Sequence, residues 1–540
     1  MASILPMLEG LHTPRHFHRF AALLLLIMLA RGIMLLCVVP ALEGWDEYQH
    51  LAYIDYLITT GETPIVGQSH IPPEFARRAA AYPQSDFAAG QLQTWGAHSY
   101  RDYWRDGPAK VTDGQPIDLY QAQHPPLYYW LMVPIYRLAG GADHLPRAAF
   151  ACRSVNLLFM LLAAWFFLLA LRELAGDAHW WIAAAAILAV HPLFLFNGLR
   201  VASDGLSVAA AGLVLWLMAR QMRALAGQRP WDWREIAALG LATGLLIWTK
   251  STVLAYAPAV MLLPLLWGWR SAGSATWPRR LAMLLLLAIT AALIAGPYLL
   301  HNLHQYGTVL PLAEMVHNQQ HGHLSLADSA HAALQVPWLG ELRKWFGRST
   351  LWIAGWSYLP AGHRFGTLYE SLLAGGLALA AIRCFYRGAW WKAESSLRRA
   401  AGLAALLCLC FSAALAVKSI QSLLYWQEAK TNPYYLAAVW PLEWSLVAIG
   451  FGLLTRRSIG RCFIALLPAT CVITELYGTW WRMPRFYGDT SSALEGLHRM
   501  PLLRPALLGT PTLIAATTLY LLLASILLTL LLIPAKEPVA

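Results

Sequence analysis

Glu43-Gly44-Trp45-Asp46-Glu47-Tyr48-Gln49-His50 puts four titratable side chains into eight residues, just after an apolar run that ends at Leu42. On a helix, Asp46 and His50 share one face and Glu47 turns elsewhere. That pattern suits a general base whose neighbours tune its pKa. It also suits a solvated helix start, where Asp46 and Glu47 are favourable in the first turn. Gln123-His124-Pro125-Pro126 opens a second candidate. The prolines can begin a helix, and His124 then stands just before it, either facing an anion or sitting in a plain turn. Asp204, in Ala202-Ser203-Asp204-Gly205, stands where a helix wants a cap. Lys250 interrupts the apolar run Ile247–Leu254, and Lys430 stands before Asn432-Pro433-Tyr434-Tyr435. A lysine at such depth is costly unless it meets water, a lipid phosphate or a carboxylate; a salt bridge to Asp204 is one such solution for Lys250. His317 and His321 are one helical turn apart, with His323 following, a spacing that can bind zinc. No carboxylate or cysteine accompanies them at a fixed interval. No Walker A loop, GxGxxG, HExxH or GxSxG occurs in a useful context. An activated donor, if used, must therefore come from the membrane.

The elements that must carry these residues are set by composition. Of 540 residues, 58% are hydrophobic and 13% charged, with mean hydropathy +0.47; soluble domains carry ~25% charged residues. Intrinsic disorder, a coiled coil, a secreted disulfide scaffold and a cytosolic enzyme are excluded. The expectation is an all-α polytopic membrane protein with about twelve spans: 20–41, 148–171, 179–198, 203–219, 236–249, 252–267, 281–300, 367–386, 400–417, 433–454, 462–481 and 511–533. The pair at 236–267 reads as two short helices or one kinked one. Phe20–Leu42 is too long for a signal-peptide core and is read as a retained first span. The seven cysteines show no CxxC spacing and read as packing residues. Arg31, Arg153, Glu443 and Glu475 lie within helices, and pairing among them is open.

The net charge of +11 follows the positive-inside rule and does not call for nucleic acid. With the N-terminus in the cytoplasm, inner segments hold 19 Lys and Arg in 86 residues, and the outer ones another 19 over roughly 220. The resulting layout is a cytoplasmic N-terminus (1–19), a catalytic membrane module (20–300) that includes an outer loop (42–147), a second outer loop (301–366) and C-terminal spans (367–540). Both loops are long enough to require a function. Leu127–Leu138 is apolar but too short to span, and reads as an interfacial helix. Arg482, Arg485, Arg499 and Arg504 break the charge pattern and suggest an outward basic patch.

Several short motifs, taken in order, resemble the C superfamily of membrane glycosyltransferases, which use polyprenyl-phosphate sugars. The chain looks most similar to bacterial relatives of protein O-mannosyltransferases and of the lipid A aminoarabinose transferase. Trp45-Asp46-Glu47 is similar to their Asp-Glu motif, and His124-Pro125-Pro126-Leu127 to their His/Lys-Pro-Pro-Leu. Ser203-Asp204-Gly205-Leu206 resembles the acidic start of helix four, and Gly244–Lys250 the Thr-Lys segment. Gly296-Pro297-Tyr298 through Tyr306-Gly307, Gly347-Arg348-Ser349 through Gly355-Trp356, and Tyr434-Tyr435-Leu436 to Pro441 resemble later motifs. Two positions depart from the pattern. Glu314–His321 carries histidines where the lipid A enzymes carry an arginine, and Asn432-Pro433 stands where a basic residue is usual.

The resemblance implies an inverting sugar transfer on the periplasmic face of a bacterial inner membrane. Asp46 and Glu47 would be the catalytic carboxylates, with Asp46 the base. Lys250, His124 and Lys430 would meet the donor phosphate, and Asp204 and His50 would orient the acceptor. The partners are a polyprenyl-phosphate sugar, membrane lipid, and an acceptor glycan, lipid or protein. Some members need a divalent metal, for which His317 and His321 are the candidates here, and others do not. Two other classes fit many helices with buried charge: a lipid-linked-sugar flippase or transporter, and a non-catalytic glycolipid-binding assembly subunit. The absence of internal repeats disfavours the transporter.

Overall fold

A computed structural model describes residues 14–176, 178, 180–226, 232–268, 277–322, 325–347, 351, 355, 357, 359–360, 362–385, 395–454 and 458–533. Arg348, Ser349, Trp356 and His323, singled out in the sequence, lie outside them. Regular structure among the described residues is helical, apart from the isolated bridges His70–Asp118 and Gln84–Ser99. Helix α1 (Pro14–Val38) is followed by α2 (Glu47–Thr60) and α3 (Leu127–Leu138), both within 42–147. Next come α4 (Leu145–Ala175), α5 (Trp180–Val190), α6 (Pro192–Leu199), α7 (Asp204–Ala226), α8 (Trp233–Ile247), α9 (Tyr256–Gly268) and α10 (Trp277–Tyr306). After α10 come α11 (Ala313–Gln320), α12 (His363–Phe385), α13 (Ser395–Trp426), α14 (Trp440–Phe451), α15 (Ser458–Tyr477) and α16 (Thr510–Leu532).

All twelve expected spans fall on helices, but their lengths sort them. Among the described residues eight are long and apolar enough to cross a membrane (α1, α4, α7, α10, α12, α13, α15 and α16), and α5–α6 make a ninth if their 53° bend is one broken span. The other three, α8, α9 and α14, have 15, 13 and 12 residues. At ~1.5 Å per residue they reach ~18–22 Å, short of a ~30 Å hydrocarbon core. They were expected as spans and are too short for that; α14 is enclosed along its whole length, whereas α8 leaves Trp233, Leu241 and Leu245 exposed. Leu158, Leu293, Leu409 and Leu522 stand exposed on long helices, as lipid-facing positions must. Leu127–Leu138 is helical over its whole expected length; it buries Tyr128, Tyr129, Met132 and Tyr136 and leaves Trp130, Leu131 and Leu138 exposed.

Buried charge and small residues hold the bundle together. The break between α5 and α6 falls at Pro192, which has no N–H to continue a helix. Arg31 of α1 meets the carbonyls released there, donating to Ala189 O and, at 2.9 Å, to His191 O. Its remaining donors form a bidentate pair with Glu475 of α15 at 2.5 and 2.8 Å, tying the first span to a late one. Helices α8 and α10 run side by side because Gly240 and Gly244, four apart, let the backbones approach. A Cβ at Gly240 would stand 1.9 Å from Thr290 Oγ1, and one at Gly244 2.5 Å from Ala291 O.

Candidate active site

The turn joining α1 to α2 is fixed from behind. Arg153 of α4 donates to Glu47 through Nε at 2.7 Å and Nη2 at 2.5 Å, and to Val39 O and Pro40 O at 2.7 Å each. Glu47 also accepts from Gly44 N at 3.1 Å and Val201 N at 2.8 Å. Both side chains are almost wholly enclosed. Burial alone would raise the Glu47 pKa; the charge and hydrogen bonds of Arg153 outweigh it and hold the carboxyl below its usual value. Glu47 is thus committed to the scaffold. Glu43 anchors the same turn from another side, accepting from Ser357 N at 2.9 Å and Tyr100 Oη at 3.1 Å.

Asp46, held between these anchors, has a left-handed backbone (φ 57°) and stands at the N-cap of α2 without capping it. A non-glycine residue adopts this region only where its surroundings impose it. Its carboxylate accepts from Tyr120 Oη. Burial pushes its pKa above the ordinary carboxylate value, opposed by the Tyr120 hydrogen bond and the charges of Arg200 and Lys250. Arg200 holds the adjacent peptide, donating to Trp45 O at 2.5 Å, while the Trp45 ring stacks on Tyr434 at 4.9 Å.

Asp204 is the hub of a second buried cluster. Its Oδ2 lies 2.7 Å from both Arg200 Nη2 and Lys250 Nζ, and its Oδ1 accepts from Asn197 at 3.2 Å. Lys250 therefore meets the carboxylate that the sequence offered it. His50 and His124 stack at 5.9 Å, with His50 Nδ1 2.8 Å from Tyr129 Oη and His124 Nδ1 3.4 Å from Ser251 Oγ. Burial, then nearby cations, keeps both imidazoles well below their usual pKa and neutral.

These groups face a cavity of about 980 Å³, the upper end of the size usual for ligand sites. Asp46, His50, His124, Arg200 and Lys250 line one part of it. Glu314, His317, Lys418, Lys430 and Tyr434 line another. Lys418 pairs with Glu314, and Lys430 Nζ lies 4.0 Å from the Trp426 ring centroid. Cations from four separated parts of the chain (Arg200, Lys250, Lys344, and Lys418 with Lys430) thus surround a space entered by the Asp46 carboxylate.

Of the residues marked in the sequence, Asp46, His50, His124, Lys250, Lys430 and His317 line this one cavity. Glu47 and Asp204 lie behind it in ion pairs. His321 is exposed; its ring stacks on His317 at 4.0 Å, and its Nδ1 is 2.9 Å from His317 O. Among the described residues no three His, Cys, Asp or Glu side chains converge as metal ligands. The neighbours of Asp46 are a phenol and cations, a set that does not fit a divalent ion. Arg499 and Arg504 are engaged within the protein, Arg499 locally with Gly488 O and Glu495, and Arg504 with Cys37 O of α1. Arg200, Lys418 and Tyr120 were missed in the sequence. Arg200 stands four residues before Asp204, an ion-pair spacing on a helix, but here the pair forms across a turn. Lys418 looked like the end of a span, and nothing near Tyr120 distinguished it.

An all-helical multi-pass membrane protein with one large, charge-lined cavity is the class that this fold and site define. The chain belongs to the family described as "Predicted membrane protein (DUF2142)", whose model matches residues 29–347. A search of curated proteins finds no match. Among solved structures, ArnT from Cupriavidus metallidurans bound to undecaprenyl phosphate is 17% identical with a TM-score of 0.43, covering 95% of this chain and 76% of that one. The archaeal oligosaccharyltransferase AglB from Archaeoglobus fulgidus, in complex with an inhibitory peptide and a dolichol-phosphate, is 12% identical with a TM-score of 0.41. That match covers 89% of this chain and 59% of AglB, so the chain spans less than two thirds of its length.

Proposed function

We propose that the protein transfers a sugar from a polyprenyl-phosphate donor to an acceptor hydroxyl at the outer, periplasmic face of a bacterial inner membrane. The observation that carries this reading is Asp46. Of the three carboxylates at the α1–α2 turn, Glu47 is paired with Arg153 and Glu43 is held by Ser357 and Tyr100; Asp46 is the one that lines the large cation-rich cavity, and it occupies the acidic motif on which the sequence resemblance rests. In this mechanism Asp46 takes the proton of the acceptor hydroxyl as its oxygen attacks the anomeric carbon. The new C–O bond forms as the bond to the phosphate oxygen breaks, with inversion. The electron pair leaves on polyprenyl phosphate, whose charge meets Lys250, Lys430, Lys418 and Arg200 in a partly dry site. A raised Asp46 pKa makes it a stronger base once ionised, and neutral His50 and His124 can donate or accept hydrogen bonds without adding charge. No step is routed through a metal.

The test is chemical. Purified protein in detergent, given a polyprenyl-phosphate sugar and an envelope extract as acceptor source, should release polyprenyl phosphate. Return of the intact lipid-linked sugar on the opposite side of a proteoliposome would mark a transporter. Binding of the donor without release would mark an assembly subunit.

A further inference from the structure

Two amide oxygens beside Asp46 are enclosed and unsatisfied. Gln49 lies one helical turn after Asp46, and Gln121 directly follows Tyr120, the residue that donates to the Asp46 carboxylate. Both line the cavity, and both are at least nine-tenths buried. Gln49 Nε2 donates to Asp118 O at 3.0 Å, which fixes the orientation of the amide and directs Oε1 elsewhere. Neither Gln49 Oε1 nor Gln121 Oε1 has a hydrogen-bond partner among the described residues. An enclosed acceptor without a donor costs about 1–3 kcal/mol, and native structures keep few of them without reason. Six glutamines line the cavity in all, so that in addition to its ionic part it has a neutral, amide-rich part.

What satisfies an amide oxygen is a hydrogen-bond donor. A carboxylate or phosphate offers none, and a lipid chain offers none. Vicinal hydroxyls on a sugar ring offer several at close spacing. We propose that Gln49 and Gln121 recognise a carbohydrate ring at the Asp46 position, their Oε1 atoms each accepting from a ring hydroxyl. This rests on the proposed transfer reaction and deepens it: it makes the two glutamines the specificity-determining residues for a hydroxylated ring. The ring belongs either to the donor's transferred sugar or to an acceptor glycan. A site built to bond a hydroxyl discriminates strongly against an analogue that lacks it, because its buried polar group is then left unpaired.

The experiment measures binding to the full-length protein in detergent, with turnover recorded separately. The probes are polyprenyl phosphate, polyprenyl-phosphate mannose, and methyl mannoside with its singly deoxygenated analogues. The proteins are the parent, Gln49→Met and Gln121→Met, which remove the acceptor at similar length, and Gln121→Glu, which keeps one; each is first checked as a monodisperse peak. The expected result is tenfold or greater discrimination by the parent between hydroxylated and hydroxyl-lacking probes, lost in both Met variants and retained in Gln121→Glu, with unchanged affinity for bare polyprenyl phosphate. Discrimination within the lipid pair assigns the ring to the donor; discrimination within the glycoside series assigns it to the acceptor. The proposal is overturned if the parent discriminates in neither series, or if the Met variants discriminate as the parent does. Failure of the parent to bind polyprenyl phosphate or to turn over would count against the transfer reaction, while the glycoside series would still decide the role of the two amides.

Discussion

Replacing Glu47 with Gln should unfold the site region while leaving its chemistry untouched. Glu47 accepts two bonds from Arg153 and one each from Gly44 and Val201. The glutamine keeps an oxygen for one side but turns an NH2 toward the guanidinium. Arg153 then stays buried as a charge without a counter-charge, held by one amide oxygen and the carbonyls of Val39 and Pro40. Breaking a buried pair from one side costs about 3–5 kcal/mol. Glu47→Gln and Arg153→Met should each fall in that range. The double variant Glu47→Met/Arg153→Met, which leaves no lone charge, should be less destabilised than the sum of the two singles. The assay is the fraction of monodisperse protein after heating in detergent, read as a rate because unfolding of such proteins is irreversible. Folded Glu47→Gln recovered at low temperature should retain most of its turnover. If Glu47→Gln is as heat-resistant as the parent yet inactive, the carboxylate acts in the reaction and the scaffold role is wrong.

Burial pushes Glu43 up to about 7 from an ordinary carboxylate value. Between the two pKa values the folded state holds a proton that the unfolded chain has lost, so stability is greatest below that window and falls as pH rises from 4.5 to about 7, by about 3 kcal/mol at 1.36 kcal/mol per unit. Glu43→Gln should flatten that part of the stability–pH curve, and an unchanged slope would remove Glu43 as its cause. Gly240→Leu and Gly244→Leu should separate α8 from α10 and lower the heating midpoint, whereas leucine at Gly375, which has open space around it, should not; equal effects would contradict the close approach. Lys430→Met should weaken binding of polyprenyl phosphate about tenfold, the scale of a charge-assisted contact of ~1.5 kcal/mol, and the difference should shrink with added salt. An unaltered affinity would leave Lys430 as a packing partner of Trp426.

Much of the fold was legible because one property decides it. Runs of apolar residues marked all twelve helices, and the interfacial helix at Leu127–Leu138 was found from its length. Span length was less legible: α8, α9 and α14 have 15, 13 and 12 residues, α14 being enclosed by other helices while α8 leaves Leu241 and Leu245 exposed, and composition does not distinguish those surroundings. Asp46, His50, His124, Lys250 and Lys430 were visible because polar residues at apolar boundaries stand out. Their partners were less so. Asp204 was named for Lys250, but the Arg31–Glu475 pair spans 444 residues, and nothing in local spacing selects one carboxylate over another at such separation. Glu47 and Asp46 are chain neighbours with different surroundings, set by which of them meets Arg153. That depends on the crossing of α4 behind the turn, which one sequence does not reveal. Gln49 and Gln121 escaped notice altogether, since glutamine carries no charge and their significance lies in the bonds they lack.

The central claim is that Asp46 is the base, and Asp46→Asn tests it most directly. The substitution keeps shape and an oxygen for Tyr120 to donate to, and removes basicity. General-base catalysis contributes ~10²–10⁴ in rate. Single-turnover release of polyprenyl phosphate from a radiolabelled donor should therefore slow by at least a hundredfold, with donor affinity and heat resistance close to those of the parent. Release at the parental rate by folded Asp46→Asn protein would contradict the account.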